Sequence, residues 1–280
     1  MSSPRSSLLA SVLALAGVLS GCQKSDEHPP FAAGCEKNCS LYPGVSVGVG
    51  TGSVGGSSNS DADGGTGTLA GNLLLLTDDS FAQAMPYTAG VTVTADGASG
   101  TPVTDASVGD VYSLEGVARS TLNWISVKPN LVGGDPLLTY QAVQTNQVSN
   151  VNLFMVSSTV LDRVFTAIST LRSPDSGQVV VFFRSAGTNV PLSGLHVNMP
   201  KAQAAAYATT KGWELDDGTA VTDQSGLVVF GNVEPANSNG TQTVTITRAA
   251  TGTTPATAAG QFSVKVVQGA VTIFSVGVQL

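Results

Sequence analysis

The sequence is poor in charge, in histidine and in aromatic rings. Only 11% of its 280 residues are charged, against about 25% in an ordinary globular protein. A coiled coil or helical bundle needs Glu, Lys and Arg on its exposed faces, so both are excluded. Two histidines are too few for a multi-histidine metal centre. The 12 basic residues are outnumbered by 19 acidic ones, a net charge of −7. That lacks the electrostatic footprint of a nucleic-acid binder, and no nucleic-acid partner is expected. Three cysteines cannot all pair with one another. What is abundant is small: 32 glycines, with much Ala, Ser, Thr and Val. The length allows one or two domains with real cores.

The N-terminus reads as an export signal over residues 1–21. Arg5 precedes an apolar run from Leu8 to Val18. Eleven residues are too few to span a bilayer, which takes about 20, but they suit the core of a signal peptide. The run leads into Leu19-Ser20-Gly21-Cys22. This resembles the lipobox of bacterial lipoproteins: an aliphatic residue, two small residues, then cysteine. The resemblance implies that Cys22 is lipidated and becomes the new N-terminus, with the acyl chains (palmitate among them) holding the chain to the membrane. Two or three chains anchor stably where one is marginal. Gln23, rather than Asp, follows Cys22 and favours the outer membrane of the cell envelope. Cys35 and Cys39 then form an even pair. In an oxidising envelope they are expected to close a small disulfide loop; a metal site, the alternative, needs about four ligands.

Residues 22–68 read as a lipid-anchored flexible tether. Nine of the 24 residues from Gly44 to Gly67 are glycine, and no aromatic stands between Tyr42 and Phe81. Such a stretch buries too little apolar surface to offset its ordering entropy. Gly50-Thr51-Gly52-Ser53-Val54-Gly55 matches a dinucleotide fingerprint, but no strand–helix context surrounds it. Asp61-Ala62-Asp63-Gly64 lacks the remaining ligands of a calcium loop.

The remainder is a series of short β-branched segments punctuated by Gly, Pro, Asn and Asp, which predicts β-sandwiches. The segments repeat. Gly90-Val91-Thr92-Val93 corresponds to Gly194-Leu195-His196-Val197. Gly109 to Val117 corresponds to Gly226 to Val233, and Val151 to Val156 corresponds to Val271 to Val276. The expected organisation is mainly β: a sandwich over 69–156, a connecting helix within 157–175, and a second sandwich over 176–280. Leu161, Val164, Phe165, Ile168 and Leu171 recur at helical spacing between Ser157 and Leu171, and Thr159 with Asp162 fits a capping box. The helix either packs between the sandwiches or docks a partner.

The second half carries Pro191-Leu192-Ser193-Gly194-Leu195-His196-Val197, then Val221-Thr222-Asp223-Gln224-Ser225-Gly226-Leu227-Val228-Val229-Phe230. These residues resemble carboxypeptidase-regulatory-like domains, a transthyretin-like, Ig-like β-sandwich family. Leu227 and Val228 stand where that family has an aromatic. The resemblance implies a fold and a mostly non-catalytic role as an accessory or surface module; it does not by itself assign a function.

Catalytic sets are incomplete. His196 is the sole histidine of the globular part, it falls within a strand pattern, and no G-x-S-x-G occurs. Asp78-Asp79 and Asp216-Asp217 could supply the carboxylates of a glycan-processing enzyme, but adjacent acids in turn-like sequence suit solvated surface. No cofactor or metal is expected. The best candidate surface is an insertion of the second repeat, Met199 to Gly218. There Tyr207, Lys211, Trp213, Asp216 and Asp217 could meet a ligand, or Trp213 could fill its own core. The expected function is a non-enzymatic, lipid-anchored envelope protein that binds or supports a protein or polysaccharide. The alternatives are a carboxylate-based glycan-processing enzyme and a scaffold subunit of an envelope complex.

Overall fold

The computed structural model describes residues 65–96, 111–119, 122–131, 135–144, 151–235 and 240–279, with the backbone of Val45–Val47. The export signal, Cys22, Cys35 and Cys39 lie outside the described residues.

The chain is mainly β. The strands are β1 (Val45–Val47), β2 (Thr66–Leu76), β3 (Ala84–Pro86), β4 (Val91–Ala95), β5 (Val111–Ala118), β6 (Leu122–Pro129), β7 (Thr139–Gln144) and β8 (Leu153–Val156). A helix, α1 (Ser158–Ala167), follows. Then come β9 (Gly177–Ser185), β10 (Leu195–Asn198), β11 (Ala204–Thr209), β12 (Gly212–Leu215), β13 (Leu227–Val233), β14 (Thr241–Arg248), β15 (Thr257–Lys265) and β16 (Val271–Val278).

The repeat seen in the sequence is a repeat of strand pairing. In the first half β2 pairs antiparallel with β5 and parallel with β8. In the second, β9 pairs antiparallel with β13 and parallel with β16. Facing these sheets, β4–β6–β7 is matched by β10–β14–β15, antiparallel throughout. Six strands in the same order thus build two sandwiches. The matched segments fall on matched strands: Val91 and Leu195 open β4 and β10, and β8 corresponds to β16.

Each sandwich has its own interior. Leu69, Leu73, Val91, Val93, Leu114, Ile125, Val127, Val143, Leu153 and Met155 fill the first. The second buries Val179, Val181, Phe183, Val228, Phe230, Val244, Phe262, Phe274 and Val276. Phe262 stacks on Phe274 at 5.1 Å, and Trp124 of the first half covers the other side of Phe274 at 5.6 Å.

A third core joins them. The opposite faces of the same strands, Val180 and Phe182 of β9, Leu227 and Val229 of β13, and Val271 and Ile273 of β16, meet Phe154 and Val156 of β8 and the apolar face of α1. Strands buried on both faces read as continuous apolar runs, which explains Val179-Val180-Val181-Phe182-Phe183. The sheets also fuse. β16 pairs in parallel with β7, so β12–β11–β13–β9–β16–β7–β6–β4 is one continuous sheet spanning both halves. Lys265 adds an ion pair with Asp96 and lies 4.8 Å from the Tyr140 ring centre.

The buried amide of Gln141 closes the remaining seam. It accepts from the Phe154 N–H at 3.2 Å and donates to the Asn152 carbonyl at 3.0 Å. The Leu137 N–H, from the segment before β7, donates to the Val156 carbonyl at 3.0 Å, so the outer edge of β8 is served by one side chain and one backbone N–H where a strand would otherwise be needed.

Three expectations change. The stretch 22–68 is not tether throughout: Val45–Val47 pairs with β16, and β2 begins at Thr66. The valines alternate with a small residue there, and the neighbouring β16 edge offers backbone partners that composition cannot reveal. The helix is shorter than 157–171. Its N-cap is Ser157, whose hydroxyl accepts from the Val160 N–H, so Thr159 lies inside the first turn. Ser169 at φ 56° ends it, with the Thr170 N–H bonded back to the Phe165 carbonyl. Leu171 consequently leaves the apolar face and stands 89% exposed. The helix packs between the sandwiches through Val160, Leu161, Val164 and Phe165, which is the connector reading.

Candidate interaction surface

The insertion between β10 and β13 folds as the β11–β12 hairpin and supplies two of the nine strands of the continuous sheet. It divides the five candidate residues. Tyr207 is a core residue and cannot touch a ligand. It is fully buried, and its hydroxyl donates to the Val197 carbonyl at 3.0 Å while accepting the Val197 N–H at 2.9 Å. Burial pushes its ionisation well above the ordinary tyrosine range. The alternation along β11 decides this: Tyr207 points to the interior of the second sandwich, and Ala206 to the shared core.

Trp213 is half-buried. Its ring meets Phe81 edge-to-face at 6.3 Å and packs against the shared core. Phe81 comes from the loop before β3, so the insertion docks onto the first half through this pair. Lys211 lies exposed at the hairpin turn, with its N–H bonded to the Thr209 hydroxyl.

Asp216 and Asp217 cap their own turn. Asp216 accepts from the Gly218 N–H at 2.8 Å and Asp217 from the Thr219 N–H at 2.9 Å. The Thr219 hydroxyl also donates to Asp217, which lowers that carboxyl below its ordinary range. A general acid needs a raised pKa, so Asp217 is set the wrong way for that task. Asp78 is engaged similarly, accepting from the Gln83 N–H and the Ser80 hydroxyl. His196 sits on β10 with Nδ1 3.0 Å from the Ala220 carbonyl. No group of three or more metal-ligating side chains is present among the described residues. None of their helices is long and apolar enough to cross a membrane.

The exposed part of the hairpin is therefore Lys211, Glu214, Leu215, Asp217 and one side of Trp213. A separate open groove of about 490 Å³ lies at the start of the insertion. It is lined by Pro200 to Gln203, by Asp175 and Ser176, and by Asn232, Glu234 and Pro235. Lys201 and Glu234 pair across it at 2.8 Å. Asn232 is fixed by structure: its amide takes the Ser173 N–H and gives to the Leu171 carbonyl. Sequence reading missed this groove because its walls come from three distant segments, and none carries a motif.

No family model matches the chain, and no curated protein matches it. Among solved structures, the shaft pilin SpaA from Lactobacillus rhamnosus GG aligns over 75% of this chain and 97% of its own, at 10% identity and a TM-score of 0.20. A Streptococcal ancillary pilin aligns over 75% and 62%, at 11% identity and 0.19. The pilus adhesin RrgA from Streptococcus pneumoniae aligns over 65% and 26%, at 9% identity and 0.19. Superpositions this loose carry no argument about this chain, whose architecture rests on its own strand pairing.

Proposed function

We propose that this is a lipid-anchored envelope protein whose two fused sandwiches form a non-enzymatic binding or structural module. The observation that carries the reading is the lipobox-like Leu19-Ser20-Gly21-Cys22 together with a tandem head whose halves share one sheet. Cys22 would carry the acyl chains, and Cys35 with Cys39 would close a loop close to the membrane. Asp78, Asp216 and Asp217 each cap their own turn, which favours a binding role over glycan hydrolysis.

The ligand would be a protein or polysaccharide of the envelope. The groove at Lys201, Gln203, Ser176, Asp175 and Glu234 offers alternating donors and acceptors of the kind that hydroxyl-rich glycans engage. The experiment has two arms. Membrane fractionation of Cys22→Ala should move the protein from the lipid phase to the soluble phase; continued partitioning with lipid sinks the anchor. A screen of envelope glycans and proteins against wild type, Gln203→Ala and Trp213→Ala should show a ligand lost on at least one substitution. Turnover of a glycan by the wild type would replace this reading with the enzymatic one.

A further inference from the structure

β16 is buried along its whole length, with Val276 and Val278 inaccessible to solvent. One edge is fully paired to β9. The other is shared: β7 takes Val271–Ile273, and Val276–Val278 faces the three-residue strand β1 in register Val45↔Val276, Ser46↔Gly277, Val47↔Val278. A buried strand left without a partner over three residues carries unsatisfied N–H and C=O groups, which is costly. The edge of β16 at Val276–Val278 is therefore a built acceptor slot for an extended segment.

The occupant pairs with the sheet over three residues only, and lies against β7 and β15. Seventeen residues, six of them glycine, separate Val47 from Gly65. Flexible links of that many residues in general give an effective concentration on the order of millimolar. A three-residue ladder contributes only about 1 kcal/mol per hydrogen bond before ordering costs. Neighbouring copies of the same chain at comparable local density can therefore compete for the slot at little cost, because the pairing exchanged is identical. We propose that Val45–Val47 of one copy occupies the Val276–Val278 edge of a second copy, and that reciprocal exchange makes a dimer. This does not depend on the lipid anchor or on any ligand.

The test uses the full chain with Cys22→Ala, so that acyl chains do not drive association. Sedimentation velocity from about 10 μM to about 1 mM should show a concentration-dependent dimer. The double variant Ser46→Pro/Val47→Pro removes a ladder N–H whichever residue supplies it, and should stay monomeric over the same range. A fluorescent peptide spanning Tyr42 to Gly50 should bind the double variant at least tenfold more tightly than the wild type, whose slot is filled. A wild type that is monomeric throughout, or a double variant that dimerises equally, overturns the proposal. So does a folded double variant that ignores the peptide. If the double variant loses its circular-dichroism signature, excess peptide must convert wild-type dimer to monomer, and failure to do so overturns the proposal equally.

Discussion

The first sandwich and the second share six strands in one order, yet their edges are finished differently. In the first, the outer edge of β8 is served by the Gln141 amide and the Leu137 N–H. In the second, the equivalent edge of β16 is covered by strands, β7 over one half and β1 over the other. The first presents its β7 edge for the fusion and the second receives it. The second alone carries an inserted hairpin, and that hairpin reaches back to the first through Trp213 and Phe81. A duplicated plan thus becomes an asymmetric pair, in which unlike edges are what allow the halves to join without leaving buried backbone unpaired.

The two halves depend on each other most at the shared core. Phe165→Ala should cost about 3–5 kcal/mol, since Phe165 is buried against both halves and its ring would lie 2.1 Å from a Cβ at Gly231. Calorimetry should show one transition shifted down for the whole head. Two separated transitions would mean the sandwiches fold independently. Next, Gln141→Leu should cost about 2 kcal/mol, because it removes the amide that serves the Phe154 N–H and the Asn152 carbonyl at the seam. Chemical denaturation reads this, and an unchanged midpoint would show that the amide is dispensable.

Each sandwich also buries one hydrogen-bonded tyrosine, which compares their interiors directly. Tyr112 donates to the Val151 carbonyl at 2.7 Å in the first, and Tyr207 serves Val197 in the second. Burial raises both phenols above their ordinary value of 10.0. The unfolded chain releases these protons above about pH 10 while the folded chain holds them, so their contribution is complete below pH 10 and is lost as pH rises beyond it. Tyr112→Phe and Tyr207→Phe should each lower stability at pH 7 by about 1–2 kcal/mol and flatten the alkaline decline; equal slopes in wild type and variants would refute it. The smallest effect belongs to the rim. Lys201→Ala breaks an exposed pair with Glu234 and should change stability by less than about 0.5 kcal/mol, so any loss of ligand binding it causes can be assigned to the groove.

Much of the fold was legible because strand alternation and turn residues are local signals. Glycine before Val91 and Leu195, and the paired closing runs 151–156 and 271–276, located equivalent strands across the two halves. The site was less legible. Tyr207 and Trp213 stand six residues apart in one polar segment, and nothing local distinguishes the fully buried ring from the one that is half-covered. Their fates follow from the pairing of β11 with β13 and from a Phe81 that lies more than 120 residues upstream.

The β class, the duplication, the connecting helix and the motif at Cys22 follow from local residue order alone, since each is written in the order and period of neighbouring residues. Tertiary structure decided that the two sandwiches share one sheet and a third core, that Val45–Val47 belongs to that sheet, and which insertion residues face solvent. Those outcomes depend on which backbone edges lie free once each half has formed. An unpaired buried N–H or carbonyl must find a partner wherever in the chain one is available.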